Sequence, residues 1–265
     1  MDSIKISIIT VCYNSSNTIV RTIESVIGQT YQNIEYCIID GASNDGTIDI
    51  IKEYQNKYPD VIRFVSEPDR GIYDAMNKGI KMATGELIGI VNSDDWLENN
   101  ALELVFSAYV KNHFSQDVLY CGGINFHYQS GEVKKYIVNL ESLHKNASLY
   151  VVSGVYHPGL FVPLKIYDEL GLFNDKMKLS ADMDFMLRCY YQGKQFIDIH
   201  AIVSNMSAGG LSTIGSKKAK KISESDRKIM LECFGKKGIS FYWLYYSWYF
   251  RKMIKRLIKK IGIYR

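Results

Sequence analysis

The sequence predicts an α/β domain with a mostly parallel central sheet flanked by helices, followed by a helical amphipathic tail. Three observations carry this expectation. Four short apolar runs, residues 4–11, 34–39, 61–65 and 87–91, are rich in β-branched side chains and end in polar clusters. Segments of helical periodicity separate them, which is the pattern of βαβ units. From Lys236 onward the chain carries nine Lys/Arg and no Asp/Glu, so the overall +4 conceals a body of −5 and a tail of +9. An acidic body with a basic tail presents two surfaces with two tasks.

The first strand, 4–11, runs into Cys12-Tyr13-Asn14-Ser15-Ser16, a polar cluster that starts a helix with Ile19, Ile23, Val26 and Ile27 on one face. The second strand ends at Asp40, and Ile48, Ile51 and Tyr54 mark the helix after it. The third is followed by Glu67-Pro68-Asp69-Arg70-Gly71 and a helix over 72–83. Beyond Glu98 the periodicity changes: a helix over 101–110, then a hairpin of 118–126 with 133–138 turning at Gln129-Ser130-Gly131. Tyr156-His157-Pro158-Gly159 turns into the apolar run 160–162, and a helix over 164–170 stops at Gly171. A helix over 182–191, short strands at 196–199 and 202–206, and a glycine-bearing loop at 207–213 complete the body.

A chain of 265 residues with 47% hydrophobic content can bury one sizeable core. Its five cysteines are odd in number and scattered without a CxxC pair, which argues for reduced thiols in a cytosolic protein. The N-terminus enters a strand directly, so no secretory signal is expected. Neither G-x-G-x-x-G nor G-x-x-x-x-G-K-[ST] occurs, so a dinucleotide oxidoreductase and a P-loop phosphotransferase lose ground.

The stretch that organises the rest is Leu87-Ile88-Gly89-Ile90-Val91-Asn92-Ser93-Asp94-Asp95. Its apolar run suits a strand covered on both faces, and ligands of such sheets collect beyond the strands' carboxyl ends. Two adjacent carboxylates there repel each other, and hard oxygen donors suit Mg²⁺ or Mn²⁺. The competing reading is that Ser93-Asp94-Asp95 caps a helix beginning near Leu97.

Residues 238–250 are uncharged and aromatic, too few to span a bilayer, which takes about 20 apolar residues. Phe250, Met253, Ile254, Leu257, Ile258 and Ile261 continue at helical spacing opposite a basic face, as in a helix lying in an anionic membrane interface. The alternative is a terminal helix packed on the domain. Nucleic acid is disfavoured, because the body is acidic and no nucleic-acid module is recognisable.

Four blocks in order, Ile8-Ile9-Thr10-Val11-Cys12-Tyr13-Asn14, Asp40-Gly41-Ala42-Ser43-Asn44-Asp45-Gly46-Thr47, Asp69-Arg70-Gly71-Ile72-Tyr73-Asp74-Ala75-Met76-Asn77-Lys78-Gly79 and Asn92-Ser93-Asp94-Asp95, resemble family 2 glycosyltransferases. The likeness is dense over residues 4–97 and sparse to about 213. It implies a GT-A fold in residues 1–215, with a nucleotide-sugar half (1–97) and an acceptor half (98–215), and leaves 216–265 as a basic, membrane-associating tail. It implies a metal-dependent, inverting transferase with Mn²⁺ or Mg²⁺ on Asp95 and Asp94 near the ribose. Thr10, Tyr13, Asn14 and Ser93 would line the nucleotide pocket, Asp40 would bond the base, and Arg70, Gly71 and Asp74 would join the donor pocket. Many members have a second Asp where Gly41 stands, so here the base contact rests on Asp40.

By the same likeness Asp182 is the expected base, with Asp184 in reserve; the alternative for both is that they complement a helix N-terminus. His157 is a candidate for the acceptor or a phosphate, against a structural role in a Pro-Gly turn. Gly210 and Ser212 could close over the diphosphate as a backbone anion nest. The resulting expectation is transfer of a hexose from a UDP-sugar to a lipid-linked saccharide at the inner face of the cytoplasmic membrane, in O-antigen, capsule or exopolysaccharide assembly. A homodimer stays open. The rivals are a sugar nucleotidyltransferase and a non-catalytic sugar-nucleotide or membrane-binding module.

Overall fold

The computed structural model describes residues 3–209, 217–236 and 238–261. Strands β1 (Ile6–Cys12), β2 (Ile34–Asp40), β3 (Ile62–Ser66) and β4 (Leu87–Ile90) alternate with helices α1 (Ile19–Ile27), α2 (Thr47–Lys57) and α3 (Ile72–Met82). These four strands run parallel in the order β3-β2-β1-β4. Every residue of β1 is buried, with Ile6 and Ile8 in the core on one face of the sheet and Ile9 and Val11 in the core on the other. Burial on both faces explains why the run is continuously apolar rather than alternating.

The helix-capping reading of Ser93-Asp94-Asp95 fails. The next residues form a short strand, β5 (Trp96–Leu97), and helix α4 (Ala101–Lys111) begins only later. The expected hairpin is present as β6 (Val118–His127) and β7 (Val133–Tyr136). Helix α5 (Leu140–Ala147), capped by the Asn139 side chain accepting from Ser142 N at 2.8 Å, is absent from the sequence expectation; it buries Leu143 and Ala147 and packs Leu140 beside them. A single 3-10 turn (His157–Gly159) leads into β8 (Leu160–Pro163), α6 (Leu164–Leu170) and α7 (Ala181–Tyr191). The two short strands foreseen near 200 are one, β9 (Gln195–Ser207), which stays paired with β6 through a bulge; His200 takes φ 56° inside it.

Strand β8 lies antiparallel to β4 and to β6, and β9 lies parallel to β6 and antiparallel to β5. The sheet therefore continues as β4-β8-β6-β9-β5, with β7 on β6, and the two halves of the chain share it. In helix α8 (Lys217–Cys233), Met230 and Leu231 sit in the same apolar core as α3 and α7. Helix α9 (Gly238–Ile261) places Leu244 against that core, with Phe241 and Tyr245 packed beside it. None of the described helices is long and apolar enough to cross a membrane.

Candidate active site

The chain runs from β1 outward to β2 and β3, then returns to the other side of β1 as β4. The loops after β1 and β4 thus diverge at a topological switch point, where open α/β sheets leave a crevice. A cavity of about 870 Å³ opens there, and Tyr13, Asn14, Ser93, Asp94 and Asp95 line it from the two loops. Gly71 and Tyr73 of the α3 entrance, His157 of the 3-10 turn, Lys178, and Asp182 of α7 close it from the opposite side.

The carboxylate pair is held by a frame that no local motif announces. The Asp95 side chain is 1% exposed, with Oδ1 accepting from Ser207 N at 2.9 Å and Oδ2 from Asn92 Nδ2 at 3.1 Å. Thr22 of α1 donates to the Asp95 carbonyl at 2.6 Å. Arg21 and the Ser207 hydroxyl both donate to the Asp94 carbonyl at 2.8 Å, and the Arg21 guanidinium stacks 3.6 Å above Trp96. Burial, then the adjacent Asp94 charge, pushes the Asp95 carboxyl up to about 7. Burial raises Asp94 as well. Two acids crowded out of water in this way have much to gain from a cation.

Among the described residues, no three His, Cys, Asp or Glu side chains converge as a complete metal cage. The donor set nevertheless suits a hard divalent ion. Two carboxylates adjoin, and Asn92 Oδ1 is buried with no hydrogen-bond partner among the described residues. Such a half-built shell matches a cation that shares its ligands with substrate oxygens.

At the far wall Tyr73 OH donates to Asp182 Oδ1 at 3.0 Å. Asp182 is the second residue of α7, where the helix dipole favours a carboxylate. His157 is close enough to feel the Asp182 charge, yet burial outweighs that attraction and holds its imidazole below its ordinary value. Cys12 also lines the cavity, but burial and Asp40 push its thiol well above the usual range, so it is no nucleophile at neutral pH.

Several expected residues lie elsewhere. Thr10 is fully buried and its hydroxyl accepts from Tyr36 OH at 2.9 Å. Asp40 is fully buried too: Oδ1 takes the Ser43 hydroxyl and Cys12 Sγ, and Oδ2 takes Ser43 N at 2.9 Å and Ser66 Oγ at 2.7 Å. It fastens the β2 end rather than facing a ligand. Arg70 turns to Asp74 at 2.8 Å and Asp175 at 2.5 Å, so neither Arg70 nor Asp74 lines the cavity. Asp184 is paired with Arg188 at 3.0 Å, and Arg188 in turn donates to the carbonyls of Leu170, Gly171 and Leu172 at the end of α6. Gly210 and Ser212 lie outside the described residues. Arg21, Asn92, Tyr73, Asp69 and Ser207 are not among the expected site residues; Asp69, Tyr73 and Asn92 stand inside the quoted blocks, and Ser207 opens the glycine-bearing loop without marking a partner for Asp95.

The "Glycosyl transferase family 2" model matches residues 7–170. The chondroitin synthase of Escherichia coli is 30% identical over 89% of this chain and 34% of its own length. The hyaluronan synthase of Pasteurella multocida is 26% identical over 89% of this chain and 24% of its own. The chain therefore spans about a third or less of these curated relatives. A PGL/p-HBAD biosynthesis glycosyltransferase of Mycobacterium bovis is 27% identical over 78% of both chains. Among solved structures, S. aureus TarS 1-349 in complex with UDP-GlcNAc superposes with TM-score 0.64 at 18% identity, covering 86% of this chain and 66% of that one. The mannosyltransferase PcManGT from Pyrobaculum calidifontis, in complex with GDP-Man and Mn²⁺, gives 0.60 at 17% identity over 89% and 65%. The family match runs through the switch-point loops and more than half of the chain, and on it this GT-A-fold chain belongs to glycosyl transferase family 2.

Proposed function

We infer that the chain transfers a hexose from a UDP-sugar, with inversion, to a saccharide carried on a membrane lipid. The observation that carries this reading is one cavity with a buried carboxylate pair on one wall and the Asp182–Tyr73–His157 cluster on the other. The named relatives include polysaccharide synthases, and a fold neighbour was solved with UDP-GlcNAc, which supports a nucleotide-sugar donor.

Asp95, assisted by Asp94 and Asn92 Oδ1, would hold Mn²⁺ or Mg²⁺. The bound ion would neutralise charge developing on the departing diphosphate. Tyr73 occupies one oxygen of Asp182 and fixes its carboxylate plane, so the other oxygen serves the acceptor hydroxyl. Asp182 takes the hydroxyl proton; the acceptor oxygen bonds to the anomeric carbon as that carbon's bond to the diphosphate oxygen breaks. Attack opposite the leaving group inverts the centre. A His157 kept neutral adds no cation to stabilise the carboxylate at the expense of its basicity.

Helix α9 supports a lipid-borne acceptor. Ile239, Tyr242, Trp243, Tyr246, Phe250, Met253 and Ile254 are exposed along one stripe, while Leu244 faces the core. That stripe and the basic composition after Lys236 suit the interface of an anionic leaflet at the cytoplasmic side.

Incubation with Mn²⁺ and a panel of nucleotide-sugars, with UDP release as readout, tests the reaction. Asp182→Asn should abolish transfer while leaving donor binding intact, and retained turnover would reject the assignment.

A further inference from the structure

With Asp40 sealed away, the cavity needs another group to recognise the donor's base, and the neighbouring glycine shows where it is. Gly41 has no side chain, and a Cβ built there would meet Asp69 Oδ2 at 2.5 Å and Tyr13 Cδ2 at 3.4 Å. The Asp69 carboxylate therefore fills the space that a side chain at 41 would take, beside a tyrosine that lines the cavity and is 63% exposed. Asp69 Oδ1 accepts from Gly71 N at 2.8 Å, an arrangement made at φ 131° for Gly71, which favours glycine. Asp69 Oδ2 meets no donor among the described residues. One oriented, acceptor-only oxygen next to an exposed aromatic face suits a flat ring that offers a single in-plane N–H.

We propose that Asp69, admitted by the missing side chain at Gly41, is the base-reading residue of the donor site and selects uracil over cytosine and guanine. Uracil gives its N3–H to Oδ2 while its face lies on Tyr13. Cytosine has a lone pair at N3 and is repelled by the carboxylate. Guanine offers two adjacent donors, but the second oxygen is already taken by Gly71. This rests on the reading of the cavity as a nucleotide-sugar site, and it names the residue that sets the nucleotide.

Titration calorimetry of the full chain with UDP, CDP and GDP, each with Mn²⁺, tests it. The unaltered chain should prefer UDP. Asp69→Asn keeps an acceptor for Gly71 N and should weaken UDP about tenfold, while narrowing the gap between UDP and CDP. Gly41→Ala, whose methyl displaces Oδ2, should weaken UDP in the same sense. Unchanged UDP affinity in both variants, or an unaltered chain that binds CDP or GDP as tightly as UDP, overturns the assignment of Asp69 alone. An unaltered chain that binds none of the three overturns the donor-site reading and this assignment with it.

Discussion

Glu35 illustrates how a buried charge on β2 can hold a parallel sheet together. Its carboxylate accepts from Ser7 Oγ at 2.6 Å on β1, from Thr84 N at 2.7 Å ahead of β4, and from Arg63 at 2.7 Å on β3. Burial alone would raise its pKa, but these donors outweigh it and hold the carboxyl below the ordinary glutamate range. Folded chains then bind fewer protons than unfolded ones in that window. The stabilisation is present above the ordinary value and is lost as pH falls through the depressed one. Glu35→Gln should cost about 1–3 kcal/mol at neutral pH and flatten the acid limb of a pH–stability curve, as chemical denaturation would measure. At the loop after β4, Asp95→Ala should abolish manganese-assisted UDP uptake in calorimetry; unimpaired uptake would refute the proposed role of Asp95. The adjacent carboxylates at 94 and 95 stand out in the sequence because paired acids at a strand end are conspicuous, whereas Asp182 is reached through the family likeness. What their neighbours do is not legible there. Asp40 and Asp69 look alike in a string of letters, and only packing decides which is consumed by Ser43 and Ser66 and which borders the cavity.

Among the elements, α8 shows how few side chains tie a polar helix to the body. Asp226 is buried and accepts from Lys178 N at 3.1 Å and Leu179 N at 2.7 Å, the turn immediately before Asp182. Arg227, also buried, donates to the carbonyls of Leu149 and Tyr150. The helix thereby buttresses the Lys178–Asp182 wall of the cavity from behind. Asp226→Ala should lower kcat severalfold or more with little change in UDP affinity, because it loosens the lead-in to the base without touching the donor loops; parallel kcat and calorimetric measurements check it. The first four strands were readable since their burial on both faces leaves long apolar runs. Strand β9 reads as two strands because His200-Ala201 interrupts its apolar run, while pairing with β6 carries it through.

For the molecule as a whole, α9 leaves an apolar face uncovered. One face packs Leu244 inward, and the other leaves Ile239 89% and Trp243 62% exposed, more than packing on the domain alone would account for. Replacing Ile239, Trp243 and Tyr246 together by Ser should move the chain from anionic phospholipid vesicles into the supernatant on sedimentation, without loss of UDP binding. Equal sedimentation of the altered and unaltered chains would sever the link to lipid.

The pairing of β5 with β9, and of Asp95 with Ser207, has a further consequence for any attempt to pare the protein down. The stretch recognised across the family stops at residue 170, before both Ser207 and Asp182. A fragment trimmed there would keep the acidic tip while stripping away the strand that braces it. It would also lack Asp182 and the wall of the cavity that carries it. The stretch that the family model matches is therefore not structurally self-sufficient, and the remainder of the chain supplies its brace.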